Sequence, residues 1–256
     1  MNQEEMILLG NYSQNDENPQ PGYFIITREG DVTGDGISDL VFLLASRPDP
    51  DSPFLDNFVL GVESGTGEGT IQVPLAAVGY DPTLFLGDFT GDAVLEALVK
   101  INSGGSAGLI FAYLYSFLNN EPRLLFDAES FSSRSLFEVI YRDDYRVDVI
   151  DEETGNVFTI DISRRDPEYL NEIYDTEGNL LAPVEGTVLP LGDLLVIAGN
   201  QLIATPPSDV LQLLAIQRII GRFNADTLGF VNTLLRWNGS EFIRQDVRVC
   251  ILPANA

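Results

Sequence analysis

From Tyr23 onward the hydrophobic positions fall in short runs rather than along helical stripes. YFIIT, DLVFLLA, NFVLGV, TIQVPL, LFLGD, EALVKI, GLIFAYLYSF, RLLF, FEVIYR, YRVDVI, VFTIDI and DVRVCIL are short, apolar and often β-branched or aromatic. Runs of this kind predict β-strands. The polar stretches between them, SGTGEG, NSGGSAG, LNNEP, RDD and DEETGN, predict turns. DVLQLLAIQRIIGRF, residues 209–223, also fits a helix, with Leu213, Ile216, Ile220 and Phe223 on one stripe. Residues 10–22, GNYSQNDENPQPG, predict a flexible linker. The apolar island at 6–9 before it is either a frayed tail or a strand that closes this domain or enters a neighbouring molecule. The expected organisation is an N-terminal extension over 1–22 and a single domain over 23–256.

The polar pattern repeats. GDVTGDGISDLVFLLA from Gly30 and GDFTGDAVLEALVKIN from Gly87 are offset by 57 residues. A third segment, ATPPSDVLQLLAIQ from Ala204, keeps the frame but has Ala204, Pro206, Ser208 and Gln212 at the acidic positions. Its alignment favours a strand over a helix for 209–223. IYRDDYRVDVI, around Asp143 and Asp144, reads as another degenerate unit. The expected fold is therefore all-β: a β-propeller-like array of about four antiparallel blades with a period near 57 residues.

Composition narrows the chemistry. The 256 residues carry 14 basic and 39 acidic side chains, a net charge of -25. Nucleic acid and anionic membrane surfaces are poor partners for such a chain. The absence of histidine removes the Ser-His-Asp and Cys-His triads and His-based zinc sites. Cys250 cannot form an internal disulfide, as the chain has no second cysteine. No apolar run is long enough to span a membrane, and MNQEEMILLGNYS lacks the basic leader and apolar core of a standard signal peptide.

The acidic loops have the spacing of a hard-cation cage. Calcium takes six to eight oxygens. Positions 1, 3, 5, 7 and 9 of the first loop offer Asp31, the Thr33 hydroxyl, Asp35, the Ile37 carbonyl and Asp39. Gly34 and Gly36 permit the tight bend. An EF-hand would need a glutamate at position 12, where Phe42 and Val99 stand. The alternative is a pair of Asx-turns without metal. GDVTGDGISDL resembles the FG-GAP or VCBS repeat of integrin α-subunit propellers and bacterial surface proteins. The resemblance implies calcium on Asp31, Thr33, Asp35, Ile37 and Asp39. In the second loop it implies Asp88, Thr90, Asp92, Val94 and Glu96, with departures at Ala93 and Glu96.

Other signals are weaker. SGTGEG lacks the following lysine and helix of a phosphate loop and predicts a hairpin turn. Asn11 and Asn238 stand in N-x-S sequons. Trp237 reads as a strand-packing residue or a glycan platform, and Asp143 with Asp144 as a solvated turn or a catalytic pair. The leading expectation is a non-enzymatic calcium-binding protein with a structural or adhesive role, outside the cell or on a cell or spore surface. It would bind a protein partner or self-associate, forming a filament if the N-terminal segment is donated. The alternatives are a calcium-dependent glycan- or protein-binding module and a carboxylate-based hydrolase.

Overall fold

The computed structural model describes residues 23–49, 51–67, 69–198 and 210–251. The island at 6–9, the linker at 10–22 and residues 204–209 of the third segment lie outside the described residues. Strands β1 (Tyr23–Gly30), β2 (Asp39–Ser46), β3 (Asp56–Glu63) and β4 (Thr70–Pro74) form a four-stranded antiparallel sheet in chain order. Strands β5 (Tyr80–Gly87), β6 (Glu96–Asn102), β7 (Ile110–Ser116) and β8 (Arg123–Asp127) form a second sheet of the same design.

The remaining strands are β9 (Phe137–Arg142), β10 (Arg146–Asp151), β11 (Val157–Asp161), β12 (Glu185–Ala198), β13 (Leu211–Ile220), β14 (Thr227–Trp237) and β15 (Phe242–Cys250). They make one seven-stranded sheet, ordered β11-β10-β9-β12-β13-β14-β15 and nearly closed on itself. Among the described residues two short α-helices, α1 (Ala128–Arg134) and α2 (Pro167–Asn171), interrupt the strands. The proline at the first turn of α2 and the Asp166 side chain, which accepts the Glu168 amide, start that helix.

The all-β reading holds, but the described strands form three sheets rather than four blades. The stretch around Asp143 and Asp144 is the turn between β9 and β10. Because β9 pairs with β12 through Ile140 and Glu185, this hairpin widens an existing sheet instead of starting one. Within the run at 209–223, Leu211–Ile220 form a strand, with Leu213 opposite Leu235 and Ile219 opposite Gly229.

The chain divides into two compact units: 1–127 with 197–212 and 237–242, and 128–196 with 213–236 and 243–256. In the first unit Val41, Leu43, Leu60, Val99 and Phe117 are among the fully buried core residues. Residues 41–45 of β2 are buried without alternation, as expected of a strand covered on both faces. At the edge, β4 alternates between exposed and half-buried positions and ends in Pro74, which blunts further pairing. Gly61 sits opposite Phe42, and a Cβ there would lie 2.1 Å from the ring. The absent side chain is what lets the aromatic lie flat across β3. The second unit is centred on Val139, Tyr141, Val147, Val149, Ile219 and Val231.

Candidate functional site

The first acidic loop joins β1 to β2. Its glycines adopt the left-handed region, φ 81° at Gly34 and 82° at Gly36, which turns the chain tightly enough for side chains to cap their own loop. The Asp31 carboxylate accepts the Gly34 amide at 2.7 Å and the Gly36 amide at 2.9 Å. Asp35 accepts the Ile37 amide at 2.8 Å. Asp39 is the buried member, only 1% exposed. Its Oδ2 accepts the amides of Val32 and Thr33, and its Oδ1 accepts that of Gly65, all at 3.0 Å. Asp39 therefore ties the acidic loop to the β3–β4 turn.

Thr33 is 3% exposed, and its hydroxyl is buried without a hydrogen-bond partner. A buried hydroxyl left unpaired is costly, and most buried polar groups find a partner. The Ile37 side chain is exposed. Among the described residues no three Asp, Glu, His or Cys side chains come together as a metal-holding group. The loop offers oxygen donors only, which suits a hard cation.

The second loop, between β5 and β6, repeats this skeleton with one substitution that matters. Asp88 accepts the Gly91 and Ala93 amides at 2.6 and 3.1 Å, and Asp92 accepts the Val94 amide at 3.0 Å. Glu96 stands where Asp39 stands. Its extra methylene carries the carboxyl to the Phe89 amide at 2.7 Å and to the Thr90 hydroxyl at 2.9 Å. The hydroxyl that is orphaned in the first loop is thus satisfied by protein in the second.

Burial pushes the Glu96 carboxyl up to about 7, with Asp92 and Asp88 adding to the rise and the Phe89 amide and Thr90 hydroxyl opposing it. The folded chain therefore holds this proton more tightly than the unfolded chain does. The resulting stability is fully present below the ordinary value of 4.5 and is lost as pH rises through about 7. We expect stability to fall by about 2 kcal/mol across that window, after allowance for partial solvent screening. Glu96→Gln is expected to flatten this component, read by chemical denaturation from pH 5 to pH 8. An unchanged pH profile in Glu96→Gln would remove Glu96 as its source.

The two loops and the third segment are joined by one recurring contact. The Leu95 amide donates to the Asp31 carbonyl at 3.0 Å, and the Leu211 amide donates to the Asp88 carbonyl at 2.8 Å. Gly30 and Gly34 face Leu95 and Val94, as Gly87 and Gly91 face Leu211 and Val210. The sequence repeat is therefore physical at its third copy too, although Ala204, Pro206 and Ser208 lie outside the described residues.

Sequence reading missed a polar cluster in the second unit. Asp226, 4% exposed, is surrounded by donors. Arg165 Nη1 lies 2.5 Å from its Oδ1, the Tyr169 hydroxyl 2.7 Å from its Oδ2, and the Arg222 amide 3.0 Å from the same oxygen. The Tyr141 hydroxyl lies 2.7 Å from that of Tyr169. Burial pushes Tyr141 up to about 12, and burial together with the hydrogen bonds to Tyr141 and Asp226 raises Tyr169 further. Gly221 leaves room for the cluster, since a Cβ there would stand 2.1 Å from the Tyr141 hydroxyl. The sequence around Asp226, FNADT, reads only as a turn, so it carried no signal.

The lesser candidates have local roles. Asp143 accepts the Leu180 amide and Asp144 pairs with Arg146, so these neighbours serve separate contacts. Trp237 packs edge-on against Phe242 with Arg123 over its ring, a strand-packing position. The described residues of SGTGEG, Ser64, Gly65, Thr66, Gly67 and Gly69, lie at the β3–β4 turn, where the Ser64 amide donates to the Gly69 carbonyl. No helix among the described residues is long and apolar enough to cross a membrane.

Comparison with known proteins assigns a different family from the one the loop motif suggests. A family model described as the YybI C-terminal domain matches residues 135–250. The chain is 39% identical over 228 residues to "Uncharacterized protein YybI" of Bacillus subtilis (strain 168), covering 88% of this chain and 84% of that relative. No solved structure matches. These findings overturn the resemblance to FG-GAP or VCBS repeats. The family-model match begins after both acidic loops and encloses the Asp226 cluster. A nine-residue acidic turn needs only glycines and short carboxylates at fixed offsets, a local demand that does not identify a family.

Proposed function

We propose that this chain, which belongs to the YybI family, is a non-enzymatic structural β-protein whose first acidic loop binds calcium. A structural or adhesive role at a cell or spore surface completes the reading, with a propeller-like repeat of the β1–β4 and β5–β8 sheets. The observation that carries it is the buried, unpartnered Thr33 hydroxyl within a loop of three aspartates. Asp31, Thr33, Asp35 and Asp39 would supply side-chain oxygens, and Ile37 its carbonyl. A divalent cation would give the orphaned hydroxyl a partner and would offset repulsion among the carboxylates.

The second loop suits calcium less well. Its threonine hydroxyl is already bonded to Glu96, and that carboxyl holds a proton near neutrality. Asp88, Thr90, Asp92, Val94 and Glu96 are accordingly the weaker ligand set.

The test is thermal unfolding in millimolar calcium and in chelator. A ligand at one hundred times its Kd stabilises by about 2.7 kcal/mol. For a chain of this size that corresponds to a rise of roughly 5–10 °C in Tm. Asp35→Ala is expected to abolish the rise, because Asp35 caps only the Ile37 amide and its loss should leave the sheet intact. Thr33→Val separates metal from turn: in chelator it should be neutral or stabilising, in calcium destabilising. Equal melting in calcium and chelator would reduce both loops to hydrogen-bonded turns.

A further inference from the structure

We propose that the β14–β15 turn is a self-modification site, at which Asn238 deamidates through attack by the Gly239 backbone nitrogen. Asn238-Gly239 is the one Asn-Gly pair in the chain. Glycine has no side chain to shield its nitrogen, and a Cβ at Gly239, φ 103°, would meet nothing within 4 Å. The turn is exposed at Asn238, Gly239, Ser240 and Glu241, so water reaches it.

The geometry goes beyond the dipeptide. Asn238 Oδ1 accepts three hydrogen bonds: from the Ser240 amide at 2.9 Å, the Ser240 hydroxyl at 2.9 Å and the Glu241 amide at 3.0 Å. The bond from the Ser240 amide closes an Asx-turn. That ring contains the Gly239 nitrogen and holds the Asn238 side chain folded toward it, which removes much of the orientational cost of attack. The same three donors polarise the amide and stand ready to stabilise the oxyanion that forms at Oδ1.

The step balances without any co-reactant but water. The Gly239 nitrogen gives up its proton and bonds to Asn238 Cγ. The bond from Cγ to Nδ2 breaks, and the nitrogen leaves as ammonia. Water then opens the succinimide on either side, giving aspartate or isoaspartate. The product adds a negative charge beside Glu241 to a chain already at -25. The isoaspartate form also adds a backbone methylene to a turn held by the Asn238 amide bond to the Glu241 carbonyl.

Cleavage after Arg236 and Arg244 releases residues 237–244 as one tryptic peptide, so the site is read directly by mass spectrometry. The full chain and the free peptide of the same sequence are incubated side by side at pH 8 and 37 °C. The folded chain is expected to gain one mass unit at Asn238 at least as fast as the free peptide, with isoaspartate detectable by enzymatic methylation. Ser240→Ala, which removes one donor from Oδ1, is expected to slow the folded chain several-fold. A folded chain that converts more slowly than the free peptide would mean that the turn protects the asparagine, and would overturn the proposal.

Discussion

Asp226→Ala is expected to be among the most damaging single changes in the chain, at about 3–5 kcal/mol, the range seen when one partner of a buried ion pair is removed. The carboxylate is the shared acceptor of Arg165, Tyr169 and the Arg222 amide. Alanine would leave a guanidinium and a phenol facing a cavity. It would also loosen the 221–226 turn, where the Arg222 amide would lose its acceptor. Asp226→Asn should cost less, since one acceptor oxygen survives, although the ion pair does not. Tyr169→Phe removes a single donor and should cost about 1–2 kcal/mol. Urea denaturation of the three variants checks the ranking. If Asp226→Ala lost no more than Tyr169→Phe, the carboxylate would not be the organising centre of the cluster.

The second large effect lies at Asp39. Its carboxylate satisfies three backbone amides, those of Val32, Thr33 and Gly65. Val32 is fully buried, so water cannot simply replace the lost acceptor there. Asp39→Ala is expected to cost about 4 kcal/mol, from three charge-assisted bonds lost at a largely buried position. The loss should persist in chelator, because the amides need their acceptor whether or not a cation is bound. Asp35→Ala is the contrast, with little effect in chelator and a large one in calcium. A wild-type-like Asp39→Ala in chelator would show that Asp39 serves only a cation. Equal behaviour of the two variants in both conditions would show that neither has the role assigned to it.

These acidic side chains differ in what made them legible. Asp31 and Asp35 act within a few residues of themselves, and their amide partners at Gly34, Gly36 and Ile37 follow from loop spacing alone. Asp39 also reaches Gly65, 26 residues away, a contact that spacing could not announce. The same holds for Asp226 and Arg165, brought together across 61 residues. Strand β12 escaped notice because Gly186, Pro190 and Gly192 break its apolar pattern, and it is pairing with β9 that places it in the sheet. The loop motif misled on family because it records a local turn requirement and nothing of the rest of the chain.

By itself the sequence determined what depends on near neighbours. Short β-branched and aromatic runs punctuated by glycine turns specified an all-β chain, since strand preference and turn chemistry act over a few residues. The recurring G-D-x-T-G-D frame specified two matching loops and a third degenerate copy in register with them. Tertiary structure alone decided how strands share sheets, because pairing partners are chosen by long-range burial and register. It also decided the contrast between the loops. One methylene in Glu96 completes the hydrogen bond to Thr90, whereas the Thr33 hydroxyl finds no partner, and burial then raises the proton affinity of Glu96. Desolvation and hydrogen-bond completion depend on what surrounds a group in space, and only the folded chain supplies those surroundings.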